Sequence, residues 1–169
     1  MTSRLLIIIV LFFISACSKT DKERISIAEK GVGDIVVGAV FPKNSVYHFL
    51  EGCELAVEDL NRKGGVLGRK VRAIVKDDEY LIQKGKEIAR EFAKNPEVVA
   101  VVGHNDSGVA VPVSLIYEMN KIVFINPCAT TPSLTAHGFR YVFRTVPTDT
   151  AYAKKLAKVA EKKFKAVLI

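Results

Sequence analysis

The chain has 169 residues and a formal net charge of +7 at pH 7, long enough for one domain with a sizeable core and too short for two. The basic excess gathers near the C-terminus, where Lys154, Lys155, Lys158, Lys162, Lys163 and Lys165 stand against Glu161. On a helix they form a solvated side opposite Ala153, Leu156, Ala157, Ala160 and Phe164, which argues against a nucleic-acid patch. The cysteines (Cys17, Cys53, Cys128) and histidines (His48, His104, His137) show no metal-ligand spacing, so neither nucleic acid nor metal is expected as a partner.

Residues 5–16 are an almost wholly apolar run behind a single positive charge at Arg4. The run is too short to cross a hydrocarbon core of ~30 Å and has the length of a secretory signal peptide. Its end, Ile14-Ser15-Ala16-Cys17, resembles the bacterial lipobox, in which the cysteine sulfur is diacylated before the signal is removed ahead of it. The resemblance implies cleavage before Cys17 and an exported protein facing the periplasm or cell exterior. A membrane anchor of more than one acyl chain on Cys17 would hold it there stably. Plain secretion with a chance cysteine is the alternative. Losing Arg4, the only charge in residues 1–16, lowers the formal charge from +7 to +6. Residues 17–33 are mostly polar and read as a tether.

From Asp34 the character changes. Ile35 to Val40 is a short, nearly all-apolar run, the pattern of a strand covered on both faces. Phe49, Cys53, Ala56, Val57 and Leu60 then repeat at helical spacing through Asn61, with Lys63-Gly64-Gly65 as the stop. Val71 to Lys76 predicts a second strand closed by Asp77-Asp78, and Gly85, Ile88, Ala89 and Phe92 mark the inner side of a second helix stopped at Asn95-Pro96. The unit recurs as a strand over Val98 to Gly103, a helix from about Ser107 to Asn120 and a strand over Ile122 to Ile125. A longer excursion leads to a short strand at Tyr141 to Arg144, a helix from about Asp149 to Lys163 and the opening of another strand at Ala166 to Ile169. Apolar strands alternating with helices predict an α/β fold, an open parallel sheet with helices on both faces. Such a sheet binds ligands outside the carboxyl ends of its strands.

Three loops at that edge carry suitable chemistry. Gly103-His104-Asn105-Asp106-Ser107-Gly108 opens a helix with a hydroxyl, a glycine and free N–H groups, a cradle for a carboxylate; Asp106 or Ser107 acting only as an N-cap is the competing reading. Asn126-Pro127-Cys128-Ala129-Thr130-Thr131-Pro132 brings two hydroxyls and a backbone stiffened by proline, able to meet both charges of a zwitterion. The loop from Phe41 to Tyr47 offers Phe41 or Tyr47 as an aromatic lining for the remaining side, with plain packing as the competing reading of either ring. Enzyme signatures are missing: no glycine-rich phosphate loop, no Gly-x-Ser-x-Gly elbow, no paired histidines. No cofactor is expected. His104 is the one histidine at a strand's carboxyl end, a ligand contact or a core residue, and Asp77-Asp78 either bind a cation or accept from neighbouring turn N–H groups.

Taken together, Ile35 to Val40, Gly52, Ala56, Asp59-Leu60-Asn61, Gly64-Gly65-Val66, Gly68, Asp77-Asp78, Val102-Gly103-His104, Ile116-Tyr117-Glu118, Asn126 to Thr130, Pro132, Leu134-Thr135 and Phe143-Arg144-Thr145 resemble the branched-chain amino-acid (Leu/Ile/Val) binding proteins of ABC transporters, over about residues 34–169. The resemblance implies a type I periplasmic-binding fold, two α/β lobes closing on an amino acid or similar small molecule and delivering it to an ABC permease in the membrane. A lipoprotein that presents its bound state to a signalling receptor is the alternative. The resemblance further implies that Ser107 and the N–H groups at Gly108 receive the ligand carboxylate, that Thr130 meets carboxylate and ammonium, and that Cys128, beside Ala129, offers its backbone carbonyl to the ammonium. Tyr47 corresponds to an aromatic near the ligand side chain. Where many members carry a disulfide, this chain has Tyr80 and Asp106. Asp106 would favour a polar or basic ligand if it pointed inward, since burying an unpaired carboxylate is unfavourable; alternatively it accepts a hydrogen bond from Tyr80. Cys53 and Cys128 are expected as free thiols. Residues 34–165 correspond to the first lobe and 166–169 to the start of the second, whose remainder is not in this sequence.

Overall fold

The computed structural model describes residues 20–44 and 48–164. The expected signal peptide over 1–16, Cys17, Tyr47 and the strand expected to open at 166–169 lie outside the described residues. Five strands form one sheet: β1 (Ile35–Val40), β2 (Val71–Lys76), β3 (Val98–Gly103), β4 (Val123–Asn126) and β5 (Val142–Arg144). A helix α1 runs through residues 20–30, followed by α2 (Phe49–Arg62), α3 (Ile82–Lys94), α4 (Ser107–Met119) and α5 (Asp149–Phe164), with a 3-10 turn at Pro132–Leu134.

All strand pairs are parallel and the order is β2-β1-β3-β4-β5. The expected boundaries hold to within one residue for these five strands, because each apolar run is short and closed by turn-forming residues. Right-handed crossovers put α2 on one face of the sheet, since β1 steps outward to β2; α3 and α4 go on the other, since the chain then steps back past β1 to β3 and β4.

The core lies between the sheet and the α3/α4 layer. Val36, Val40, Val101, Phe124 and Val142 point into it and meet Ile88, Phe92, Val109, Val113 and Tyr117. Gly38 permits the close approach of α3, since a Cβ there would lie 2.6 Å from the Phe92 ring. The other face is less covered. No residue of α2 is buried, so Cys53, expected on a buried side, is half-buried. Both thiols are free, as expected.

Two expectations are corrected. Residues 20–30, read as part of a polar tether, form a docked helix. The reason is one residue that hydrophobic patterning passes over: the Arg24 guanidinium is buried and donates from Nε to Val98 O at 2.9 Å, from Nη2 to Ala93 O at 3.1 Å and Asn95 O at 3.3 Å, and from Nη1 to Asn120 O at 3.2 Å. Those carbonyls sit at the ends of α3 and α4 and the start of β3, where helix C-termini leave acceptors open and favour a cation. Asp21 accepts from the same guanidinium at 3.4 Å. The second correction concerns α5. Its lysines are solvated as expected, but Leu156, expected on a packed side, is 67% exposed, and Tyr152 and Val159 are exposed as well.

Candidate functional site

From β1 the chain steps to one side, to β2, and then back to the other, to β3. The carboxyl ends of β1 and β3 therefore flank the topological switch point, where an open α/β sheet holds its ligand. The loops after β1, β3 and β4 arrive there side by side.

The exit of β3 is a tight kink. Gly103 has φ +140° and no room for a Cβ against the Val40 backbone, so glycine is needed both for its conformation and for the close approach. His104 follows at φ +53° and donates its N–H to Val40 O at 2.8 Å. This turns the chain into α4. Asp106 is the N-cap: its carbonyl accepts from Val109 and Ala110, and its Oδ1 accepts the Gly108 N–H at 2.8 Å. The N-cap reading of Asp106 therefore holds, and its carboxylate bonds its own helix and not Tyr80; the side chain is exposed. The cap also occupies the Gly108 N–H that a ligand carboxylate was expected to use. Ser107, half-buried at the first turn, keeps its hydroxyl without a hydrogen-bond partner among the described residues.

The exit of β4 is held from two sides. Buried Asn126 accepts at Oδ1 from the Cys128 N–H at 2.9 Å and the Ala129 N–H at 2.5 Å, and its Nδ2 donates to Gly103 O at 2.9 Å and His104 O at 2.7 Å. Arg144, at the end of β5, donates to Ala129 O at 3.2 Å, to Thr131 O at 2.8 Å and to Thr135 Oγ1 at 2.8 Å. The Thr130 carbonyl accepts from the Asp149 N–H at 2.9 Å. The half-buried Thr130 hydroxyl, like that of Ser107, has no protein partner among the described residues. Burial raises the Cys128 thiol above its ordinary pKa, so it is a protonated thiol at neutral pH.

His104 is a core residue and not a ligand contact. It is fully buried, with Nδ1 2.8 Å from Asp78 Oδ2 and Nε2 2.9 Å from the Tyr117 hydroxyl. Burial lowers its pKa despite Asp78, so the neutral ring donates from Nδ1 to Asp78 and accepts at Nε2 from Tyr117. Burial likewise keeps the Tyr117 hydroxyl protonated, its pKa well above the ordinary value. Asp77 and Asp78 accept from the Glu79 and Tyr80 N–H groups at 2.9 and 3.1 Å, the turn reading of that pair. Among the described residues no cluster of His, Cys, Asp and Glu could hold a metal.

Sequence reasoning missed Asn126 and Arg144 as organisers of the β4 loop. The signal was present: an amide and a guanidinium each end an otherwise apolar strand. A polar side chain at that register, buried at the edge, has backbone to bond.

Comparison with known proteins gives the family. The chain matches the periplasmic binding protein family over residues 35–169. It is 36% identical over 132 residues to the Leu/Ile/Val-binding protein of Escherichia coli, covering 77% of this chain and 36% of that protein. It is also 36% identical over 121 residues to Leu/Ile/Val-binding protein homolog 1 of Brucella abortus, covering 69% and 32%. An ABC transporter substrate-binding protein of Desulfitobacterium hafniense solved in complex with Leu shares 41% identity at a TM-score of 0.73, over 77% of this chain and 39% of that one. The chain thus spans about a third of the length of the relatives it matches. With the sheet order, the switch-point loops and the match over 35–169 in agreement, the chain belongs to the periplasmic binding protein family.

Proposed function

We propose that this chain forms the first lobe of an extracytoplasmic solute-binding lipoprotein that captures an aliphatic α-amino acid for an ABC importer. One observation carries the reading. Ser107 and Thr130 present two half-buried hydroxyls with no protein partner among the described residues, at neighbouring strand ends beside the N-terminus of α4. A carboxylate gains from the helix dipole and the Ser107 hydroxyl, and Thr130 can donate to the carboxylate and accept from the ammonium. The Leu/Ile/Val names of the relatives and the leucine in the Desulfitobacterium complex support an aliphatic side chain. Capture is completed by an opposing lobe in a polypeptide of the relatives' length, anchored through Cys17 and served by a membrane permease.

Titrating the 15N-labelled chain with L-leucine tests this. Amide shifts centred on Ser107, Gly108, Cys128 and Thr130 at millimolar ligand are the expected result, one lobe leaving the ligand open to water. No shift in either loop at tens of millimolar leucine would overturn it.

A further inference from the structure

We propose that Asn126 is a positioning residue that fixes the spacing between the two ligand-binding loops, an inference that rests on the site reading above. β3 and β4 pair in parallel from Ala100↔Val123 to Val102↔Ile125, and the backbone ladder stops there. Beyond that pair the chains diverge, one toward Ser107 and the other toward Thr130. At this point the Asn126 side chain takes over from the ladder. Both hydrogens of its Nδ2 go to carbonyls of the β3 exit, Gly103 O and His104 O, and both lone pairs of its Oδ1 go to N–H groups of the β4 exit, Cys128 and Ala129. A primary amide offers two donors and two acceptor lone pairs, and here all four are used, all at 2.9 Å or less and all in a fully buried side chain.

The chemistry is specific to an amide. A carboxylate of the same shape would set an oxygen against the Gly103 and His104 carbonyls. An apolar side chain would leave two carbonyls and two N–H groups buried without partners, each a loss of about 1–3 kcal/mol. Its position gives the link a functional consequence. Ser107 lies three residues past His104 and Thr130 one past Ala129, so the amide sets the distance between two groups that must hold one small ligand core. Displacements of about 1 Å are enough to disturb such a constellation.

The test is nuclear magnetic resonance on the 169-residue chain with three variants. In Asn126→Ala, resonances of Gly103–Ser107 and Cys128–Thr130 are expected to shift together, the Cys128 and Ala129 amides to lose exchange protection at least 10-fold, and leucine-induced shifts to vanish in both loops. Asn126→Asp keeps the acceptor side and loses the donor side. It should retain protection of Cys128 and Ala129 while displacing Gly103–Ser107, and it decides the matter if the alanine variant does not fold. Asn61→Ala is the control. Its amide makes a comparable clamp on β2, donating to Val71 O at 2.9 Å and accepting from the Val71 N–H at 2.7 Å, and its loss should leave the leucine response intact. Asn126→Ala or Asn126→Asp that binds leucine like the parent chain would overturn the proposal and leave the site standing. If the parent does not respond to leucine, the site reading fails, and the positioning role is then judged on resonances alone: an unmoved Gly103–Ser107 segment in both variants overturns it.

Discussion

The two faces of the sheet are built from the same strands and the same kinds of residue, yet they are in different states. Toward α3 and α4, Val36, Val40, Val101, Phe124 and Val142 are buried. Their neighbours in each strand point the other way, and there Val75 is 39% and Phe143 50% exposed. Strand propensity is equal on both sides, so the covering layer decides burial. The contrast also explains why the strands read as continuous apolar runs: they are composed for two covered faces, and among the described residues only one has its full layer.

The largest break in that contrast comes from removing its best-packed element. Phe92→Ala leaves a hole against Gly38 on the closed face and should lower unfolding free energy by about 3–5 kcal/mol in urea. A loss under 1 kcal/mol would show that the closed face is not the stabilising core. Next is Arg24→Met, which keeps much of the apolar stem and removes the guanidinium donor from four backbone carbonyls. We expect a loss of about 2–3 kcal/mol, together with faster amide exchange through residues 20–30. Unchanged exchange there would mean that α1 is held by something other than the guanidinium.

A third test follows from His104. Its folded-state pKa is depressed and its unfolded value is about 6.5. The unfolded chain therefore binds a proton that the folded chain refuses, and stability is full above pH 6.5 and declines as pH falls below it. In His104→Gln that part of the decline should disappear from urea midpoints measured between pH 7.5 and 5. The smallest effect belongs to the open face: Phe143→Ser should change the stability of the chain by no more than about 0.5 kcal/mol while reducing dye binding to exposed apolar surface. A loss comparable to that of Phe92→Ala would mean that Phe143 is covered after all, by self-association for example, and sedimentation would detect it.

The strands and the four later helices were legible because their signals are local: apolar runs of strand length, helical repeats and the Gly, Asn and Pro residues that stop them. The loop edge was legible through Ser107 and Thr130, whose hydroxyls follow strand ends. What sequence left hidden depends on a single long-range bond donor. Arg24 reaches residues more than 65 positions away and turns a polar stretch into packed helix. Asn126 bridges two loops from inside a strand, and the cap role of Asp106 shows only once its oxygen is placed on Gly108. The apolar side of α5 misled for the opposite reason, since amphipathic spacing records a side suited to burial without naming its cover.

The docking of Arg24 changes where the folding unit begins. A boundary drawn at Asp34, where composition shifts, would cut away the guanidinium and leave the Ala93, Asn95, Val98 and Asn120 carbonyls without the donor they share. A shortened chain that starts with β1 would carry a wound at the amino edge of its sheet, and the smallest intact unit reaches back at least to Asp21, the acidic partner of that arginine.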